Sequence, residues 1–118
     1  LFALLSTCTA PGGDPSSITS SELLERLGSE EAPIVLDVRT AREFEAGHVP
    51  GAYHLEDRQV PDRIEELMQL KDQEVVVYCE VGARARWVED YLRQQGFTNV
   101  KHLLGDFSAW RRNGHPVE

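Results

Sequence analysis

The chain has little from which to build a disulfide staple, a metal cage or a nucleic-acid surface. Its 118 residues include two cysteines, Cys8 and Cys79. They stand far apart in unlike contexts, so neither a disulfide framework nor a Cys-x-x-Cys metal or redox motif is available. The four histidines, His48, His54, His102 and His115, lack the short spacings of metal ligands, so no metal is expected. Twelve Lys and Arg are outnumbered by 20 Asp and Glu, for a formal net charge of -8. Such a surface repels a phosphate backbone and argues against nucleic acid as a partner. Any anionic substrate must be attracted by local charge. No apolar run is long enough to span a bilayer, and no internal repeat or low-complexity segment is found.

What is present, 41% hydrophobic and 27% charged residues, is the composition of an ordinary folded domain. A length of 118 residues suits one compact domain, because neither half would bury enough surface to offset its conformational entropy. One active site and a monomer are expected.

The N-terminal run Leu1-Phe-Ala-Leu-Leu-Ser-Thr-Cys-Thr-Ala10 reads as the end of a truncated apolar export segment. Leu5-Ser6-Thr7-Cys8 is similar to a bacterial lipoprotein processing site, with Thr7 standing where such sites carry Gly, Ala or Ser. Cys8 is therefore a candidate lipid anchor; the alternatives are an export remnant without lipid or an N-terminal strand. The stretch Ala10 to Ser17, rich in Pro, Gly and Ser, is suited to a tether. Residues 1–17 are accordingly assigned to a truncated signal and tether, and residues 18–118 to the folded domain. The expected location is exported, periplasmic or lipid-anchored, and otherwise cytoplasmic.

Within the domain, helical and extended patterns alternate. Thr19-Ser-Ser-Glu22 is a capping box opening a short amphipathic helix with Leu23, Leu24 and Leu27 on one face, and Gly28 is its expected left-handed stop. Pro33 to Arg39 is an apolar, β-branched run without alternation, the mark of a strand buried on both faces. A second capping box, Thr40-Ala-Arg-Glu43, starts a short helix ending at Gly47. His48-Val-Pro-Gly51 is turn chemistry leading to a strand over 52–55. A helix follows with Ile64, Leu67, Met68 and Leu70 on its apolar face. Glu74 to Tyr78 is the most emphatic strand, and it runs directly into Cys79. A helix from Ala83 is predicted to bury Trp87, Val88, Tyr91 and Leu92 before stopping at Gly96. A strand over 99–104 and a terminal helix from Phe107 to Arg112, capped by Asp106 and burying Trp110, complete the pattern. Strands alternating with helices imply a parallel α/β sheet covered on both faces.

In such sheets ligands bind beyond the carboxyl ends of the strands, where loops enter helix N-termini whose free N–H groups and dipole favour anions. Cys79 sits at such a place. The loop Cys79-Glu80-Val81-Gly82-Ala83-Arg84 contains a glycine that lets the backbone curl and an arginine that adds positive charge. Surroundings of this kind favour thiolate over thiol. Cys79 is the candidate nucleophile, and Glu80, Val81, Gly82, Ala83 and Arg84 are the candidate substrate-binding residues.

The C-x-x-G-x-R loop after an apolar strand, with Asp37-Val-Arg39, Glu43-Phe44, Gly47-His-Val-Pro-Gly-Ala52 and Gly105-Asp-Phe-Ser-Ala-Trp110, resembles the rhodanese family from Ile18 to about Asn113. The resemblance implies an α/β rhodanese-like fold with a five-stranded parallel sheet flanked by helices on both faces. It implies a catalytic cysteine at Cys79, a loop over 80–84 that binds the sulfur donor and the persulfide, and no cofactor. The expected partners are a small sulfur donor, such as thiosulfate or a persulfide, and a thiol or cyanide acceptor.

Asp37 and Arg39 are read as closing a strand by hydrogen bonds to neighbouring loops or Glu43, while His48, Pro50 and Gly51 fix a turn. Arg86 and Arg93 are read as solvated charges. Two rivals remain: a non-enzymatic rhodanese-like module that binds a partner or senses redox state, and a phosphatase of the cell-division-cycle kind. Such phosphatases carry C-x5-R, whereas Cys79 and Arg84 form C-x4-R. Glu80 is expected at the mouth of the pocket, where a carboxylate opposes a dianionic donor and favours a neutral persulfide.

Overall fold

The computed structural model describes residues 14–118. Cys8, and with it the expectation of an export segment and lipid anchor, lies outside the described residues. Five strands, β1 (Ser17–Ile18), β2 (Ile34–Asp37), β3 (Tyr53–His54), β4 (Val75–Tyr78) and β5 (Val100–Leu103), form one sheet in the order β1-β5-β4-β2-β3. Every pairing is parallel. The helices are α1 (Ser20–Leu27), α2 (Ala41–Ala46), α3 (Ile64–Leu67), α4 (Ala83–Gln94) and α5 (Asp106–Arg112).

The apolar runs read from the sequence occupy the centre of the sheet, where both faces must be covered. Along β4 the side chains alternate: Val75 and Val77 join a core with Leu36, Val88, Leu92 and Phe97, while Val76 and Tyr78 join a second core with Ile18, Leu23, Phe107 and Trp110. The first core lies under α3 and α4, the second under α1 and α5. Cys79 continues the first alternation and is buried in the α4-side core. The sheet's pleat therefore aims the cysteine at the helix that follows it.

Both predicted capping boxes are present, with Thr19 and Thr40 each accepting from the backbone of the glutamate three residues on and receiving that side chain on their own N–H. Local differences have local causes. Gly28 has φ -91 and is not left-handed; the chain leaves α1 through Ser29, whose hydroxyl donates to the Arg26 carbonyl at 2.9 Å. Ser17, assigned to the tether, is the first residue of β1, and the Ser16 carbonyl already accepts the His102 N–H at 2.8 Å. Trp87 is not core: it is 49% exposed and stacks on Tyr91, with centroids 5.9 Å apart. The buried stripe of α4 runs instead through Ala85, Val88, Glu89 and Leu92. Asp106 does not precede α5 but begins it, and Gly105 takes the cap position.

Candidate active site

The loop after β4 wraps tightly around the sulfur of Cys79. Its Sγ accepts the Gly82 N–H at 3.0 Å and the Ala85 N–H at 3.4 Å. Gly82 has φ +121, a region that side chains avoid, and a Cβ there would come within 3.2 Å of an Asp106 carboxylate oxygen. Among the described residues the N–H groups of Glu80, Val81, Ala83 and Arg84 have no hydrogen-bond partner. They lie where the 12-residue helix α4 begins and its dipole favours an anion. Of the five candidate binding residues, Glu80, Val81 and Gly82 form the loop after Cys79 and Ala83 and Arg84 begin α4, but their side chains are not all turned to the sulfur.

The charged side chains of the loop are engaged at its rim. Arg84 forms a two-pronged ion pair with Glu43 of α2, with bonds of 2.8 and 3.0 Å. The arginine, against the opposing effect of burial and with help from the Thr40 backbone, holds the Glu43 carboxyl down at about 2; the same pair raises Arg84. The lone positive charge expected in the cradle is therefore already partnered. The Glu80 carboxylate, expected to face an incoming donor at the mouth, is instead shared between Arg39, at 3.2 Å, and Arg111. Val81 makes no such contact and is 78% exposed.

Arg39 itself is buried, bound to both oxygens of Asp37 and to the Gly47 carbonyl at 2.7 Å. Asp37 also accepts the Tyr78 hydroxyl at 2.6 Å, whose oxygen in turn receives the Val49 N–H. The Asp37 and Arg39 motif thus anchors the loops around the site, as the sequence predicts, although with Glu80 rather than Glu43. The Arg39 and Arg111 guanidiniums lie over the Phe107 ring, 4.4 and 4.9 Å from its centroid. A groove of about 250 Å³ opens beside them, lined by Arg39, Glu43, Gly47, Glu80, Phe107 and Arg111.

Beneath the loop lies a second charged group that the sequence reading missed. Asp106 Oδ1 accepts the Cys79 backbone N–H at 3.0 Å, its Oδ2 is 3.0 Å from His102 Nε2, and His102 Nδ1 meets Glu89. All three side chains are buried. Burial disfavours a charged imidazole, but the Asp106 and Glu89 carboxylates outweigh it and raise His102 to about 9. The available signals were a histidine inside the apolar strand β5 and a glutamate on the buried stripe of α4. Each has a commonplace reading alone.

A parallel sheet whose central strand delivers a cysteine into an N–H-rich loop at a helix N-terminus is the architecture that the sequence motifs imply. The chain belongs to the rhodanese-like domain family, whose model matches residues 19–113. A sulfurtransferase of Allochromatium vinosum is 38% identical over 102 residues, covering 86% of this chain and 94% of that protein. The thiosulfate sulfurtransferase GlpE of Actinobacillus succinogenes is 31% identical, covering 87% of this chain and 90% of that one. Among solved structures, the rhodanese-like domain of the Alr3790 protein from Anabaena matches with a TM-score of 0.78 at 29% identity, covering 90% of this chain and 80% of that one. A rhodanese-related protein from Thermoplasma volcanium matches at 0.75 and 26% identity, covering 86% and 96%. These relatives support a sulfurtransferase-type role.

Proposed function

We propose that this domain moves sulfane sulfur from a small donor to an acceptor through a persulfide on Cys79. The observation that carries the reading is the loop itself: two backbone N–H groups already converge on the sulfur, and four more in the same short segment, at the start of α4, have no hydrogen-bond partner among the described residues. An anionic sulfur bound to Cys79 would find donors already in place, with little reorganisation at the moment of transfer.

The Cys79 thiolate attacks the outer sulfur of thiosulfate, forming an S–S bond as the bond to sulfite breaks and its electron pair leaves with sulfite. The terminal sulfur then carries the negative charge among the loop N–H groups. Cyanide or a thiolate next attacks that sulfur, and the electron pair of the broken S–S bond returns to Cys79. This is two-step covalent catalysis in which neither step needs a general base. The groove beside Arg39 and Arg111 gives the acceptor an approach next to the loop. The Arg84 guanidinium is already paired with Glu43, and the four residues between Cys79 and Arg84, one fewer than in the C-x5-R phosphatase loop, support transfer of sulfur over transfer of a phosphoryl group.

The test is the intact mass of the protein after exposure to thiosulfate or to a persulfide donor. A gain of one sulfur atom, lost again on adding cyanide, is expected for the native chain and not for Cys79→Ser. Thiocyanate formation persisting in Cys79→Ser overturns the mechanism. A native protein that never gains sulfur while remaining folded points to a binding or sensing module.

A further inference from the structure

The transfer steps leave the buried chain Glu89–His102–Asp106 unused, yet it ends on the nucleophile's own backbone. Glu89 comes from α4, His102 from β5 and Asp106 from α5, so one line of hydrogen bonds ties three elements to the end of β4. Their exposures are 3%, 3% and 2%. Burying two carboxylates so close together is costly unless a cation lies between them, and His102 takes that place.

Asp106 also has φ +54, the positive φ that the described residues otherwise reserve for glycine. A non-glycine residue held there keeps a strain that glycine would relieve, so the side chain has a use that offsets it. That side chain grips the Cys79 N–H and lies directly behind the Gly82 turn. The backbone that follows grips the next two peptides: Phe107 N–H donates to the Cys79 carbonyl at 3.0 Å, and Ser108 N–H to the Glu80 carbonyl at 3.2 Å. A trans peptide is rigid and its C=O and N–H point oppositely. Carbonyls drawn toward α5 therefore turn the N–H groups of Glu80 and Val81 to the opposite side, away from α5.

We propose that Asp106 is a positioning residue for sulfur transfer: steadied by His102 and Glu89, its carboxylate fixes the Cys79 N–H and the Gly82 turn, and so aims the loop's N–H groups at the transferred sulfur. This rests on the reading that Cys79 carries the sulfur. Asp106 does not touch the substrate. Its carboxylate holds the peptide N–H of Cys79, while the next two peptides are held by the Phe107 and Ser108 N–H groups.

Two substitutions separate the carboxylate from the backbone. Asp106→Gly keeps the left-handed turn and relieves its strain but leaves the Cys79 N–H without its acceptor. Asp106→Asn keeps an acceptor and tolerates the same turn. Single-turnover sulfur loading is followed by intact mass over a range of thiosulfate concentrations, with melting temperatures measured alongside. The expected result is a folded Asp106→Gly that loads sulfur about tenfold more slowly at saturating donor, with the half-saturating concentration changed by less than about twofold. Asp106→Asn is expected to recover to within about threefold of the native rate. Native rates in a folded Asp106→Gly overturn the proposal, as does an Asp106→Asn no faster than Asp106→Gly. Should Asp106→Gly fail to fold, Asp106→Ala, also without an acceptor, takes its place in the same comparison with Asp106→Asn. A native protein that itself gains no sulfur overturns the persulfide reading, and this proposal with it; native loading with an indifferent residue 106 overturns this proposal alone.

Discussion

The two sides of the Cys79 loop carry charge patterns of opposite sense. At the rim a carboxylate stands between two guanidiniums, Arg39–Glu80–Arg111; beneath the loop an imidazole stands between two carboxylates, Glu89–His102–Asp106. Arg111 and Glu80 are partly open to solvent, with side-chain exposures of 55% and 26%, whereas the lower group is sealed from it. Water around Arg111 screens its charge and fills in for a lost partner, so the Glu80–Arg111 pair is cheap to break and free to exchange, while Arg39 stays anchored on Asp37. Beneath the loop no water substitutes, and each charge depends on its neighbours. The same arithmetic of three charges thus makes an adaptable entrance above and a fixed support below.

The strongest way to break this contrast is His102→Leu, which leaves two buried carboxylates facing each other. Urea unfolding is expected to show a loss of about 3–5 kcal/mol. A loss below about 1 kcal/mol, the range of exposed pairs, would mean that the lower group is hydrated or exchanges as freely as the rim.

The two sides are next expected to fail at opposite ends of the pH scale. His102 is raised from 6.5 to about 9, so the stability it contributes is fully present below pH 6.5 and lost as pH rises through about 9. Glu43 is lowered from 4.5 to about 2, so the contribution of its Arg84 pair is present above pH 4.5 and lost as pH falls toward about 2. Unfolding curves across pH should lose their alkaline fall in His102→Leu and part of their acid fall in Glu43→Gln. An alkaline fall that persists unchanged in His102→Leu assigns it to another group.

Smaller effects test the rim alone. Because Arg84 is held by Glu43, Arg84→Ala is expected to lower kcat/KM for thiosulfate only about threefold, and Glu43→Gln, which frees that arginine, to raise it by a similar factor. A loss of tenfold or more in Arg84→Ala would show that the arginine swings off Glu43 to meet the donor. Smallest of all is Glu80→Gln, expected to change stability by less than about 1 kcal/mol and thiosulfate kcat/KM by about twofold, with the difference fading in salt. A large gain would restore Glu80 to the donor-facing place that the sequence suggests.

The parts of the fold visible in sequence are those set by local pattern. The run into Cys79, the capping boxes at Thr19 and Thr40 and the helix from Ala83 are each written within a dozen residues and occur as read. Periodicity alone shows four strands. β1 is two residues long and exists only because Ser17 and Ile18 pair with His102 and Leu103, a partnership no local window contains. The fifth strand came with the family resemblance. Trp87 was misplaced because helical spacing marks a stripe without saying which edge of it meets the sheet. In the site, Cys79 and the residues that wrap its sulfur are legible as a contiguous motif. The partners of Glu80 and Arg84, and the group Glu89, His102 and Asp106, were not, since each pairing spans elements that only the folded sheet brings together.

The order in which the chain is made gives the lower group another meaning. The two N–H groups that bond the Cys79 sulfur, of Gly82 and Ala85, follow it within six residues, but the acceptor of its own N–H, Asp106, comes 27 residues later. During synthesis the thiol and its loop therefore emerge before β5 and α5 exist to support them. Those last elements bring Asp106 under the loop and at the same time clamp β1, joining the two ends of the domain. A nascent or truncated chain ending before β5 presents a cysteine whose backbone N–H lacks its Asp106 acceptor, and the loop is braced from beneath only once the domain has closed.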